Sequence, residues 1–106
     1  MQPMFTHAAG LLALALLCSL PAHANRALAE KKGCLGCHAA ATKLVGPAYQ
    51  DVAAKYAGDK NAVATLVRSI RQGGSGKWGE MPMPPQAQLS EADAKRLATW
   101  ILGGAK

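Results

Sequence analysis

Two cysteines and a histidine stand close together in the sequence Cys34-Leu35-Gly36-Cys37-His38. The pattern Cys-x-x-Cys-His is typical of c-type haem attachment, in which two thiols add to the two vinyl groups of the macrocycle and the adjoining histidine reaches the iron. Two intervening residues let both sulfurs reach vinyl groups on the same ring. The motif therefore predicts a covalently bound haem c, attached through Cys34 and Cys37, with His38 as an axial iron ligand.

The first 24 residues have the features of a secretory signal. A nearly uncharged run rich in leucine and alanine (8–20) precedes the small-x-small sequence Ala-His-Ala (22–24), which signal peptidase accepts. The alternative is a transmembrane anchor, but that needs about 20 apolar residues and this run is shorter. We therefore expect a signal peptide over 1–24, cleavage after Ala24, no stable membrane anchor, and a mature periplasmic domain over 25–106.

Removal of the signal would leave 82 of the 106 residues. At that size a polypeptide core alone gives marginal stability and a staple is usually needed, and a bound haem would supply one. All 12 basic and all 6 acidic residues lie after Ala24, so the mature net charge stays at +6. A basic nucleic-acid module would have this charge, but export and an aromatic content of 5% argue against it.

The cysteine pair has three possible uses other than haem attachment. A structural disulfide is possible in an exported protein, but it would leave His38 without a purpose. A thioredoxin-like redox pair needs a βαβ context, which the sequence does not contain. A structural zinc site needs four protein ligands, whereas the mature chain would offer two thiols and one imidazole. Haem attachment is therefore the interpretation that uses all three side chains.

The sixth iron position decides the function, because a filled position favours electron transfer and an open one favours gas binding or catalysis. No second histidine would remain after export, so the candidate donors are the thioethers of Met81 and Met83. Either could instead fill space in the core. Pro82 and Pro84 restrain the backbone on both sides of Met83, which favours Met83 as the ligand and Met81 as a packing residue.

The elements that must position these residues are predicted to be helices, because the sequence contains no sustained alternation of apolar and polar residues. The expected fold class is all-α, with about four short helices around the haem. Capping residues and helix-stopping glycines place these helices at 26–32 after a cap at Asn25, at 49–57, from a cap near Asp59 or Asn61 to 72, and at 91–102 after a cap at Ser90 with Asp93 three residues on.

The segment 73–89 holds four glycines and three prolines and cannot be helical over most of its length. The helices on either side are too short to form two domains, which argues against an interdomain linker. A long loop without secondary structure in a compact domain is usually functional. This segment, called the ligand loop below, contains both candidate methionines.

The motifs together resemble the small bacterial class I cytochromes c of the cytochrome c-551 subgroup, over nearly the whole mature chain. The resemblance rests on the haem motif and on segments 43–49, 51–56, 78–79 and 82–85. It implies that Met83 is the axial ligand, that the Pro47 carbonyl accepts a hydrogen bond from His38 Nδ1, and that the Trp78 indole reaches a haem propionate. Plain packing is the alternative for Trp78.

Two positions depart from the pattern of that subgroup. A basic residue that the family uses near a propionate falls at Ser69, with Arg68 and Arg71 close by. The asparagine that hydrogen-bonds the ligand sulfur is replaced by Gln86. The resemblance therefore implies the subgroup's fold and ligand set, with a reduction potential that differs from those of its members.

With two protein ligands on its iron the protein has no site for a substrate, so we expect a diffusible, monomeric one-electron carrier and not an enzyme. Expected partners are redox proteins, such as a cytochrome bc complex as donor and a nitrite reductase or terminal oxidase as acceptor. The alternative is a haem-based sensor or peroxidase-like enzyme with an open sixth position. Four lysines that flank the haem-binding segments, called the lysine rim below, would steer an acidic partner; they are Lys31, Lys32, Lys43 and Lys77.

Overall fold

Four α-helices and the loops between them make up the part of the chain that the structure, a computed structural model, describes (residues 22–106). The helices are α1 (Ala22–Lys31), α2 (Tyr49–Lys55), α3 (Ala62–Gln72) and α4 (Glu91–Leu102), and a 3-10 turn covers Cys34–Gly36. Within residues 22–106 there is no strand, only one isolated antiparallel bridge between Gly74 and Met83. The all-α prediction is confirmed.

The predicted signal segment lies outside the described residues except for its last three. Those three residues are helical, so α1 begins at Ala22 and Asn25 lies inside it. The predicted cap at Asn25 is therefore wrong for the uncleaved chain, because Ala-His-Ala continues the helix without a break. No helix in the described part of the chain has the length and apolarity needed to span a bilayer.

The other helix ends differ little from their predicted positions. Helix α2 ends at Lys55 rather than at residue 57, with Tyr56 as its C-cap. Helix α3 begins after Asn61, whose own backbone N–H donates to Asp59 Oδ1 at 2.8 Å. At the start of α4 the Ser90 hydroxyl accepts from the Asp93 N–H at 3.1 Å, which is the predicted cap.

Helix α4 lies at the centre of the fold and packs against α1, α2 and α3. Its buried face has the spacing of an amphipathic helix, with Leu97, Trp100 and Ile101 all turned inward. Leu66 and Ile70 of α3 meet this face and complete one apolar cluster. Side chains from α3 and α4 thus form an apolar face in the cluster against which Met83 of the ligand loop packs.

The ligand loop is held by hydrogen bonds within itself and to the C-terminal end of α3. Within the loop, Gly74 and Met83 exchange backbone hydrogen bonds of 2.8 and 3.1 Å. To α3, the Gln86 N–H donates to the Ile70 carbonyl at 2.9 Å. The Arg71 Nε–H donates to the Leu89 carbonyl at 3.2 Å. These contacts give a segment without regular structure a defined path past Met83.

Candidate functional site

The two cysteines and the histidine are brought together by the 3-10 turn that follows α1. Gly33 enters the turn with φ +78°, a left-handed conformation that glycine adopts without strain. The N–H groups of Cys37 and His38 both donate to the Cys34 carbonyl, at 3.2 and 3.0 Å. Cys34 is half-buried and Cys37 is exposed, and the two sulfurs do not form a disulfide. The turn thus leaves both sulfurs available for bonding to a macrocycle.

The imidazole of His38 is oriented by contacts on several sides. Its Nδ1–H donates to the Pro47 carbonyl at 2.8 Å, and its ring stacks on Tyr49 with a centroid distance of 4.9 Å and an interplanar angle of 16°. Because a carbonyl oxygen can only accept, Nδ1 carries the proton and Nε2 keeps its lone pair. This is the tautomer that binds a metal through Nε2, and the bond to Pro47 fixes the orientation of the ring.

Gly46 fills a position next to His38 where no other residue fits. A Cβ built on Gly46 would lie 2.8 Å from His38 Nδ1 and 2.9 Å from Nε2, well inside van der Waals contact. The loop cannot easily move away, since the Gly46 N–H donates to the Cys37 carbonyl at 2.7 Å. The absence of a side chain at residue 46 therefore lets the loop close against the imidazole.

The two candidate methionines occupy different environments. Met83 is half-buried, packs against the apolar core and has both backbone groups bonded to Gly74. Met81 has an exposed fraction of 68%. Gly73 allows the close approach of the Met83 segment, because a Cβ at Gly73 would lie 2.5 Å from the Met83 carbonyl oxygen. The Met83 backbone is thus held rigidly, and the role of Met81 as a packing residue beside the haem stays a prediction.

Three further residues singled out from the sequence lie beside the same space. Trp78 has an exposed fraction of 38%, so it is not a core residue, and the Lys55 ammonium lies 4.5 Å from the centre of its ring. The Gln86 side-chain amide donates to the Pro84 carbonyl at 3.3 Å. The Ser69 hydroxyl donates to the Thr65 carbonyl at 3.1 Å, one turn back in α3. The hydroxyl at residue 69 is thus bonded within its own helix.

The candidate site residues line one apolar cavity of about 410 Å³; they are Cys34, Cys37, His38, Pro47, Trp78, Met83 and Gln86. That volume lies within the range of roughly 300–1,000 Å³ that is usual for cofactor sites. The cavity is lined by both cysteines and by two potential iron ligands, His38 and Met83. The chemistry of the donor set, two thiols with an imidazole and a thioether, fits a haem c better than any other common cofactor. The cavity is thus a suitable haem site.

Burial affects two titratable groups at the cysteine end of the cavity. Desolvation raises the pKa of the Cys34 thiol above its ordinary value. Burial likewise raises the pKa of the Tyr49 hydroxyl far above its ordinary value, with a smaller contribution from Cys34. Tyr49 therefore stays neutral under all physiological conditions and contributes a stacking surface to His38 rather than a charge.

Several residues of the site carry no signal in the sequence strong enough to find them. Tyr49 stands two residues after a proline and opens a helix, which does not reveal its stack on His38. Gly46 and Gly73 were visible only as turn residues. Contacts of Tyr56 and Lys55 with the ligand loop join residues 21 to 23 positions apart, a separation at which periodicity carries no information.

The sequence of this chain is similar to those of known proteins. The family model described as Cytochrome c matches residues 23–105. A cytochrome c-552 of Hydrogenobacter thermophilus is 58% identical over 79 residues, which cover 74% of this chain and 80% of that protein. A cytochrome c-551 of Pseudomonas aeruginosa is 53% identical over 75 residues, which cover 71% of each chain.

Solved structures give the same result for the fold. The crystal structure of wild-type Nitrosomonas europaea cytochrome c552 matches with a TM-score of 0.72 at 51% identity, covering 74% of this chain and 96% of that one. The class 1 cytochrome MtoD of Sideroxydans lithotrophicus matches with a TM-score of 0.66 at 27% identity. The four-helix arrangement is therefore shared with proteins that differ substantially in sequence.

Proposed function

This chain belongs to the cytochrome c family and carries one covalently bound haem c, and on that premise we propose that it shuttles single electrons between redox proteins of the periplasm. In this proposal Cys34 and Cys37 attach the haem, and His38 and Met83 ligate its iron. When bound, the haem supplies a one-electron couple whose potential is raised by thioether ligation.

The observation that carries the proposal is that these four side chains line a single cavity, with His38 and Met83 each fixed by its own set of contacts. The Pro47 carbonyl and the Tyr49 ring hold the imidazole in one tautomer and one orientation. The two hydrogen bonds with Gly74 hold the Met83 backbone. A site whose ligands are preorganised changes little when the charge on the iron changes, which suits fast electron transfer.

The burial of the two methionines favours Met83 over Met81 as the sixth ligand. Both methionines line the cavity, but Met83 also packs against the core and has its backbone bonded to Gly74, whereas Met81 is exposed. A filled sixth position leaves no iron coordination site for a substrate. We therefore propose a carrier rather than an enzyme or a gas sensor.

Partners and location follow from the same reasoning. We propose a donor of the cytochrome bc type and an acceptor such as a nitrite reductase or a terminal oxidase. We also propose that residues 1–24 are a signal peptide removed after Ala24, so that the mature protein starts at Asn25. Lys32 and Lys77 of the lysine rim line the cavity, and we propose that this rim would face the partner.

The test uses the holoprotein purified from the periplasm. Its intact mass is expected to equal residues 25–106 plus one haem, and the ferrous spectrum is expected not to change under carbon monoxide. Reduced protein mixed with an oxidised partner should transfer one electron per haem. Rapid carbon monoxide binding by the unmodified protein would contradict the carrier proposal and favour a sensor or a peroxidase-like enzyme.

A further inference from the structure

A cluster of two lysines and two aromatic residues joins the end of α2 to the ligand loop. The Lys77 ammonium donates to the Tyr56 hydroxyl at 2.9 Å and lies 5.5 Å from the centre of that ring. The Lys55 ammonium lies 4.5 Å from the centre of the Trp78 ring and 3.5 Å from the Lys77 carbonyl oxygen. Lys55 therefore contacts both Lys77 and Trp78 of the ligand loop, and Tyr56 contacts Lys77.

Neither lysine of this cluster has an acidic partner. The ion pairs found among residues 22–106 join Arg26 to Glu30 and Arg96 to Asp93, and neither involves the cluster. Both ammonium groups are thus held at the junction of α2 and the ligand loop, by aromatic rings and by hydrogen-bond acceptors without charge. An arrangement of this kind provides a favourable position for an anion.

The cluster lies at one end of the haem cavity. Lys77, Trp78 and Tyr56 all line it, and the lysines of its lining are Lys32 and Lys77, with no carboxylate. Lys32 stands two residues before Cys34, at the cysteine end. Lys77 contacts the last residues of α2, whereas Tyr49, the first residue of α2, stacks on His38. Seven helical residues separate these ends by about 10 Å.

The two halves of a haem differ chemically, as do the two ends of the cavity. Its vinyl groups lie on one half of the macrocycle and its two propionates on the other. Attachment at Cys34 and Cys37 fixes the vinyl half at the cysteine end. The propionate half must then extend toward the end where Lys77 stands.

We propose that the Lys77 ammonium, held in place by Tyr56, is the counter-ion of a haem propionate in this protein, with Lys55 on Trp78 adding a second positive charge nearby. The proposal rests on the haem placement given above. The Ser69 hydroxyl of α3 also lines the cavity, but it donates to the Thr65 carbonyl and is not free to donate to the carboxylate.

Charged and titratable groups around this end of the cavity are few. At the end of α2 these groups are Lys55 and the C-cap residue Tyr56. In the ligand loop they are Lys77 and the exposed Glu80. From α3 Arg71 turns to the Leu89 carbonyl. A cation close to a carboxylate favours the ionised form and lowers its pKa.

The test measures the ionisation of the propionates directly. Ferrous holoprotein with carbon-13 at the propionate carboxyl carbons is titrated by NMR at low ionic strength, as wild type and as Lys77→Gln. One propionate is expected to have a pKa higher by about one unit in Lys77→Gln, the low end of the range for opposite charges because Lys77 is exposed. The reduction potential should fall in the same variant, since a positive charge next to the haem favours the reduced state.

Three further variants make the result specific. Lys77→Arg keeps the charge and should restore the wild-type pKa. Tyr56→Phe removes the hydrogen bond that holds Lys77 and should give part of the rise. Lys60→Gln removes an equal charge from an exposed residue that does not line the cavity, and should leave the propionate pKa unchanged.

The outcome separates this inference from the proposed function. If Lys77→Gln keeps its covalent haem and its sulfur-to-iron charge-transfer absorption while both propionate pKa values match the wild type, the counter-ion assignment is wrong and the carrier proposal stands. The same conclusion follows if Lys60→Gln shifts the pKa as much as Lys77→Gln. Loss of haem attachment or of the charge-transfer absorption in the wild type would instead overturn the proposed ligand set.

Discussion

Replacing Gly46 by alanine tests whether the loop 43–48 holds the imidazole of His38 in place. The added Cβ would lie 2.8 Å from Nδ1 and 2.9 Å from Nε2. The ring cannot turn freely to avoid the added Cβ, because Tyr49 stacks on the ring with a centroid distance of 4.9 Å and the ring Nδ1–H donates to the Pro47 carbonyl at 2.8 Å. One methyl group forced into a packed site costs typically 1–3 kcal/mol, and we expect about 2 kcal/mol here.

For a domain of this size about 2 kcal/mol corresponds to a fall in Tm of roughly 8–16 °C. If the His38–Pro47 hydrogen bond also breaks, the free energy of unfolding falls by about 1 kcal/mol more. Thermal unfolding of the ferric holoprotein, followed by circular dichroism, measures both effects. The matched control is Gly103→Ala, where the added Cβ would make only ordinary contacts at 3.5 Å. Equal Tm values for the two variants would refute the steric argument.

Other parts of the structure give predictions that need only routine assays. Gly73→Ala should destabilise the protein and weaken the sulfur-to-iron absorption, because a Cβ there meets the Met83 carbonyl oxygen at 2.5 Å. The control is Gly58→Ala, since Gly58 has a similar positive φ but no atom within 4 Å of the added Cβ. It should cost only the backbone strain of about 1–2 kcal/mol. Ser90→Ala removes the cap of α4 and should lower the free energy of unfolding by about 1 kcal/mol, measured by denaturant titration, whereas Ser90→Asp should restore it. The bimolecular rate of electron transfer to an acidic partner should fall as ionic strength rises, since the lysine rim steers the encounter, and a flat salt dependence would remove that role.

Much of the fold was predictable from the sequence because its helices are marked by local chemistry. Ser90 and the Gly103-Gly104 pair bound α4, and the spacing of Leu97, Trp100 and Ile101 gave its buried face. The haem motif was equally local, since its three reactive side chains lie within five residues. The start of α1 was not predictable, because alanine before Asn25 is compatible with a helix or with a cleaved leader.

The contacts that shape the site depend on residues far apart in sequence. The stack of Tyr49 on His38 and the two lysine–aromatic contacts join segments whose meeting is decided by tertiary packing. Exposure of Met81 was also not predictable, since two methionines separated by one proline have almost the same local sequence. Only the path of the ligand loop along α3 turns one of them toward the core.

A pair of variants tests the central claim, the ligation of iron by His38 and Met83. Met83→Ala in the purified holoprotein should abolish the sulfur-to-iron charge-transfer absorption of the ferric state, lower the reduction potential and let the ferrous iron bind carbon monoxide. Met81→Leu should leave all three unchanged, because the Met81 side chain is 68% exposed. The reverse pattern would move the ligand to Met81, and unchanged spectra in both variants would contradict thioether ligation altogether.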